Sequence, residues 1–128
     1  MAGTLTIDTL KASTGVLATQ NGMNGIAKAW VNYNAVAGTV RSSFNVSSVT
    51  KNSAGYYTVN FATAMPDTNY STIVNAGSPN STSYVTSGIY TPSNSSYGAK
   101  TTSAVQVNCY APSVSNYDPY EVNVAIFA

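Results

Sequence analysis

Every second residue is apolar over several stretches of this chain, and that alternation limits the possible fold more than any other feature. Tyr57, Val59 and Phe61 interleave with Tyr56, Thr58 and Asn60. Val122, Val124 and Ile126 interleave with Glu121, Asn123 and Ala125. Val40, Phe44 and Val46 are read onto one face of a further strand, opposite Thr39, Arg41, Ser43 and Asn45. Successive side chains of a strand point to opposite faces, so a two-residue period describes a ribbon with one apolar side, which a helix of 3.6 residues per turn would scramble. Residues 28–33 and weaker stretches at 70–76, 83–91 and 102–110 extend the pattern. Pro66, Pro79, Pro92, Pro112 and Pro119 all fall between these stretches, where a missing N–H interrupts no ladder. Asn52-Ser53-Ala54-Gly55 is a hairpin signal, because glycine supplies the positive φ that such loops need. The best helical window, residues 16–30, is broken by glycines. The expectation is an all-β chain: an antiparallel β-sandwich of about seven strands over residues 27–128, preceded by an extended N-terminal arm or connector over residues 1–26.

Composition removes whole classes of function. Charged side chains are 7% of the 128 residues, against about a quarter in an ordinary globular domain. The net charge is +1, and Lys11, Lys28, Arg41, Lys51 and Lys100 stand singly, so no basic stripe follows a phosphate backbone and no nucleic-acid partner is expected. One cysteine and no histidine exclude an intrachain disulfide and leave only carboxylates and Cys109 for a metal. Cys109 alternates in step with Val105 and Val107, which predicts a buried, inert thiol. No stretch approaches the length of a membrane span, and the N-terminus lacks the basic start and apolar run of a signal peptide, so no membrane insertion is expected.

Chemistry finds no purchase either. A serine or cysteine hydrolase needs a base beside its nucleophile, normally histidine. A glycosidase needs two carboxylates held about 5–10 Å apart. The acids available are Asp8, Asp67, Asp118 and Glu121. Asp67 reads as a turn cap in Met65-Pro66-Asp67, Asp118 as a turn residue before Pro119, and Glu121 as a solvent-facing strand residue. No catalytic, cofactor-binding or metal-ligating residue is assigned, and the chain is expected not to be an enzyme.

Two features point instead to contact surfaces. Alternation places Trp30 with Lys28 and Asn32, opposite Ala29, Val31 and Tyr33. A tryptophan on the polar side of a strand is covered by the N-terminal arm of the same chain, lies on a strand buried on both faces, or is buried in a subunit interface, and Trp30 is the candidate interface residue. Of ten tyrosines, six fall beyond residue 80 amid Ser, Thr and Asn. Rigid aromatics among adaptable hydrogen-bonding side chains are the chemistry of recognition surfaces. Tyr84, Tyr90, Tyr97, Tyr117 and Tyr120 are therefore candidates for contact with a receptor or glycan. The alternatives are that they are ordinary strand formers or line a subunit interface.

The words KAWVNY (28–33), SFNVSSV (43–49), GYYTVNF (55–61), AMPD (64–67) and NY (69–70) resemble a module of tailed-bacteriophage virion proteins, found in tail fibres and other surface fibres. The resemblance covers residues 5–76. It implies a non-enzymatic virion part, either a trimeric fibre or knob or a surface decoration subunit, made in the bacterial cytoplasm and carried on the virion surface. Its implied partners are two further copies of itself, other proteins of the tail or capsid, and host surface glycan. A second expectation is a lectin-like module that recognises glycan through its Tyr- and Asn-rich loops.

Overall fold

The computed structural model describes residues 26–77, 86–90, 100–111 and 115–128. The expected arm, residues 1–26, lies outside them apart from Ile26, as do Tyr84 and Tyr97. Among the described residues there are nine strands: β1 (Ala29–Asn34), β2 (Thr39–Phe44), β3 (Val46–Ser53), β4 (Tyr56–Phe61), β5 (Ser71–Gly77), β6 (Thr86–Ile89), β7 (Ala104–Ala111), β8 (Ser115–Asn116) and β9 (Glu121–Phe127). They form two antiparallel sheets packed face to face. Sheet A has the order β2-β1-β9-β5, and sheet B the order β3-β4-β7-β6 with β8 paired to the end of β7. The expected β-sandwich is what the chain adopts.

The apolar phases of the alternating strands meet between the sheets. Val31 and Tyr33 of β1 and Val122, Val124 and Ile126 of β9 face Tyr57, Val59 and Phe61 of β4 and Val105, Val107 and Cys109 of β7, all nearly inaccessible to water. Aromatic edges lock the layers: the Tyr33 and Tyr57 rings meet at 5.6 Å and those of Phe61 and Tyr70 at 5.8 Å, both edge to face. Tyr70 is buried, its hydroxyl donating to the carbonyls of Thr101 and Ala104. Met65 is buried in the same core, while the Asp67 carboxylate accepts the Asn69 N–H at 2.7 Å, the turn cap expected from sequence.

One reading needs correction. Val40, Phe44 and Val46 do not lie on one strand face: a register shift between Asn32 and Tyr33 pairs Val40 with Tyr33 but Phe44 with Trp30, and the chain then leaves sheet A and enters sheet B between Phe44 and Val46. Asn45 makes the corner with φ of 52°, a left-handed conformation that asparagine tolerates better than most residues. Its carboxamide donates to the carbonyls of Lys28 and Thr63 and accepts the Thr63 N–H, while its own carbonyl accepts the Ala62 N–H. Those four bonds replace the ladder bonds given up at the bend. Val40 is left exposed on β2 while Phe44 and Val46 are partly covered. Splitting this stretch in two, and adding the two-residue β8, accounts for nine strands where seven were expected.

Candidate functional site

On the outward side of sheet A, ladder registers bring four apolar residues from four strands into one transverse row. Phe44 lies opposite Trp30, Trp30 opposite Ala125, and Ala125 opposite Ile73. Trp30 is 38% exposed and Ile73 59%. Phe44 and Ala125 are partly covered. The adjacent row is wholly polar: Ser42, Asn32, Asn123 and Asn75. Trp30, Ile73, Ala125, Asn32, Asn75 and Asn123 border a shallow, largely apolar groove of 390 Å³. Trp30 thus shares its face with Asn32 as the alternation predicted, whereas Lys28, expected beside them on the polar face, precedes β1 and is buried; the apolar neighbours of Trp30 on that face come from three other strands.

The charges on this side are already satisfied. Arg41 approaches Glu121 at 3.6 Å and donates to the Tyr120 carbonyl at 2.9 Å, with its guanidinium 5.1 Å from the Tyr120 ring centre. Hydrogen bonding from Asn123 holds the Glu121 carboxyl below its ordinary range, helped by Asn32 and the Arg41 charge. The strand glutamate faces solvent as expected, its side chain 44% exposed, and is also tied into an amide and guanidinium cluster.

Sheet B carries a different surface. Tyr57, Val59 and Phe61 point inward, so Tyr56, Thr58 and Asn60 point out, and β7 presents Gln106 and Asn108 opposite Thr58 and Tyr56. β6 then adds Gly88 opposite Asn108. Tyr90 follows β6, its N–H bonded to the Gln106 carbonyl at 3.0 Å. The Tyr56 and Tyr90 rings meet across β7 with centres 4.5 Å apart and planes at 73°. Together with Asn52, Ser53, Gln106 and the flanks of Tyr57 and Val107 they line a groove of 280 Å³. No charged side chain lines it. Asn52 donates to the Thr58 hydroxyl at 2.8 Å, which fixes its orientation, and its side-chain oxygen has no partner among the described residues.

The sequence candidates do not converge. Tyr90 stands in the sheet B groove, whereas Tyr120 is half exposed on the sheet A side against Arg41. Tyr117 is partly buried in the connector to β9, its N–H donating to the Cys109 carbonyl. Tyr84 and Tyr97 lie outside the described residues. Tyr56, Asn52 and Gln106 were not singled out from sequence. They lie on β3, β4 and β7, up to 54 positions apart in the chain, and only the β3-β4-β7 pairing makes them neighbours.

Asp118 holds the two hairpin regions of sheet B together. Its carboxylate accepts the Lys51 ammonium at 2.5 Å, the Tyr57 hydroxyl at 2.5 Å and the Gly55 N–H at 3.0 Å. Burial works against the charged form, but these donors outweigh it and keep the carboxyl below its ordinary range. Burial, with the Asp118 hydrogen bond, drives the Tyr57 phenol far above its usual range. Cys109 is fully buried, and burial together with the Asp118 charge pushes its thiol up to about 12. Among the described residues no group of three or more His, Cys, Asp or Glu side chains could hold a metal ion, and no helix is long and apolar enough to cross a membrane.

Searches of protein-family models, curated proteins and solved structures each returned no match to this chain.

Proposed function

We propose that this chain is a non-enzymatic structural subunit of a tailed-phage virion, a trimeric fibre or knob or a surface decoration protein, that assembles through the outer side of sheet A. The observation that carries the self-assembly is the row Phe44-Trp30-Ala125-Ile73. Four apolar side chains in one line across a sheet, two of them well exposed, form the kind of patch that marks an interaction surface. Beside it, Ser42, Asn32, Asn123 and Asn75 both donate and accept, so the face meets another copy without charge conflict. A closed ring of copies would take this surface out of water. The virion assignment and three-fold symmetry rest on the fibre-like words between residues 28 and 70.

Light scattering after size exclusion tests this reading. The expected mass is three times the 13.3 kDa chain. The double substitution Trp30→Ser with Ile73→Ser is expected to yield a folded monomer with an unchanged β-type circular dichroism spectrum. A monomeric wild-type chain at all accessible concentrations would overturn the trimer.

A second reading, adhesion to host surface glycan, is favoured by the uncharged aromatic groove on sheet B. The two readings use opposite faces of the sandwich and are compatible in one fibre tip.

A further inference from the structure

We propose that the groove walled by the paired rings of Tyr56 and Tyr90 is a subsite for a neutral saccharide, with Gln106 and Asn52 supplying its directional hydrogen bonds. The proposal rests on the adhesive reading and assigns it a place and a ligand class. The two rings stand at 73° with centres 4.5 Å apart, forming an angled apolar wall. Sugar rings present just such a mixture: a C–H face that packs on an aromatic, rimmed by hydroxyls that both donate and accept. The polar groups at the wall match that rim. The Gln106 carboxamide and the Tyr56 and Tyr90 hydroxyls make no hydrogen bond to any other described residue, so each can bond a ligand without giving up a bond to one of them. Asn52 differs: its NH₂ is committed to Thr58 at 2.8 Å, so it offers an acceptor held in one orientation. Amides and phenols carry both donor and acceptor functions, which suits adjacent hydroxyls better than it suits an anion.

Charge narrows the class. Asn52, Ser53, Tyr56, Tyr57, Tyr90, Gln106 and Val107 are all neutral, and the nearest cation along β3, Lys51, is already bound to Asp118. A phosphate or a sialic acid carboxylate would find no counter-charge there. At 280 Å³ the groove is near the small end of ligand sites, on the scale of one sugar unit of a longer chain. A shallow, preformed site of this kind supports weak affinity per subunit, which an assembly would multiply through avidity.

The test uses the whole chain and ligand-observed NMR with a panel of neutral oligosaccharides (gluco-, galacto- and manno-series) and sialyllactose as the charged control. Millimolar binding to at least one neutral series and none to sialyllactose is expected. Tyr90→Ala and Gln106→Leu are each expected to weaken it about tenfold or more, a loss of about 1.4 kcal/mol. Tyr110→Ala, an exposed tyrosine on the same sheet that does not line the groove, is expected to leave it unchanged. Circular dichroism confirms that each variant is folded, and Tyr90→Phe serves in place of Tyr90→Ala if that variant is not. Neutral-sugar binding that survives the groove substitutions would overturn this assignment while leaving glycan adhesion standing. Preference for the charged sugar would overturn the ligand class, and no binding to any panel member would overturn the adhesive reading as well.

Discussion

Gly55 and Gly38 offer a matched pair for testing how the sandwich is closed. Both have positive φ, 74° and 69° respectively. Alanine in that region costs about 1–2 kcal/mol through the contact between Cβ and the following carbonyl. At Gly38 this is nearly the whole cost, since an added Cβ would meet only the Tyr33 hydroxyl, at 3.9 Å. At Gly55 the added atom would sit 2.5 Å from the Cys109 carbonyl oxygen and 2.8 Å from the Tyr117 nitrogen. Both obstacles are backbone. Non-bonded heavy atoms rest at about 3.5–4 Å, so the hairpin and β7 would have to part by about 1 Å. That movement strains three hydrogen bonds: Cys109 N–H to the Gly55 carbonyl at 2.7 Å, Gly55 N–H to Asp118 at 3.0 Å, and Tyr117 N–H to the Cys109 carbonyl at 3.3 Å. At about 0.5–1.5 kcal/mol each, they bring the expected cost of Gly55→Ala to about 3–6 kcal/mol. Urea titrations followed by circular dichroism measure both variants against wild type. In thermal melts a chain of this length loses about 3–6 °C per kcal/mol, so Gly38→Ala is expected to melt about 5 °C lower and Gly55→Ala more than about 10 °C lower still. Equal destabilisation of the two variants would refute the argument, because it would mean that the close approach of β7 and the connector to Gly55 contributes nothing.

Two further outcomes follow from the groups around Gly55. The folded-state carboxyl of Asp118 is depressed, so its stabilisation is fully present above the unfolded value of about 3.9 and is lost as pH falls through the lower folded value. Asp118→Asn is expected to cost about 2–4 kcal/mol at neutral pH, from the charge-assisted bonds to Tyr57 and Gly55 with little from the more exposed Lys51 pair. The gap between wild type and variant should close below about pH 4, and a gap independent of pH would show that the charge is immaterial. Cys109, buried and with its thiol pushed up to about 12, should resist iodoacetamide and Ellman's reagent in the native chain and react fully in denaturant. Rapid native labelling at pH 8 would contradict the closed packing between the two sheets.

The alternating stretches were legible because burial acts on one strand at a time. Val105, Val107 and Cys109 share the inner face of β7 just as their spacing implies, as do Val122, Val124 and Ile126 on β9. The break at Asn45 was harder to see. Alternation runs through it unbroken, and the turn is made by one side chain whose partners, Lys28 and Thr63, lie 17 and 18 positions away. Asp118 is a similar case: its place before Pro119 signals a turn, but Lys51, Gly55 and Tyr57 come to it through pairing between distant segments.

The two candidate surfaces divide along the same line. Placing Trp30 on the polar side of its strand needs nothing beyond the two-residue period, because that period is local stereochemistry. Grouping it with Phe44, Ala125 and Ile73 requires ladder register, which depends on which strands neighbour one another and how far each has slipped. The Tyr56–Tyr90 wall likewise exists only because β7 lies between β4 and β6 and brings outward-facing residues of separate segments together. The sequence by itself therefore determined the fold class and which side of each strand meets water, since both depend on near neighbours in the chain. Only the tertiary structure decided which outward side chains share a surface, because register and strand order are set by the joint packing of the two sheets.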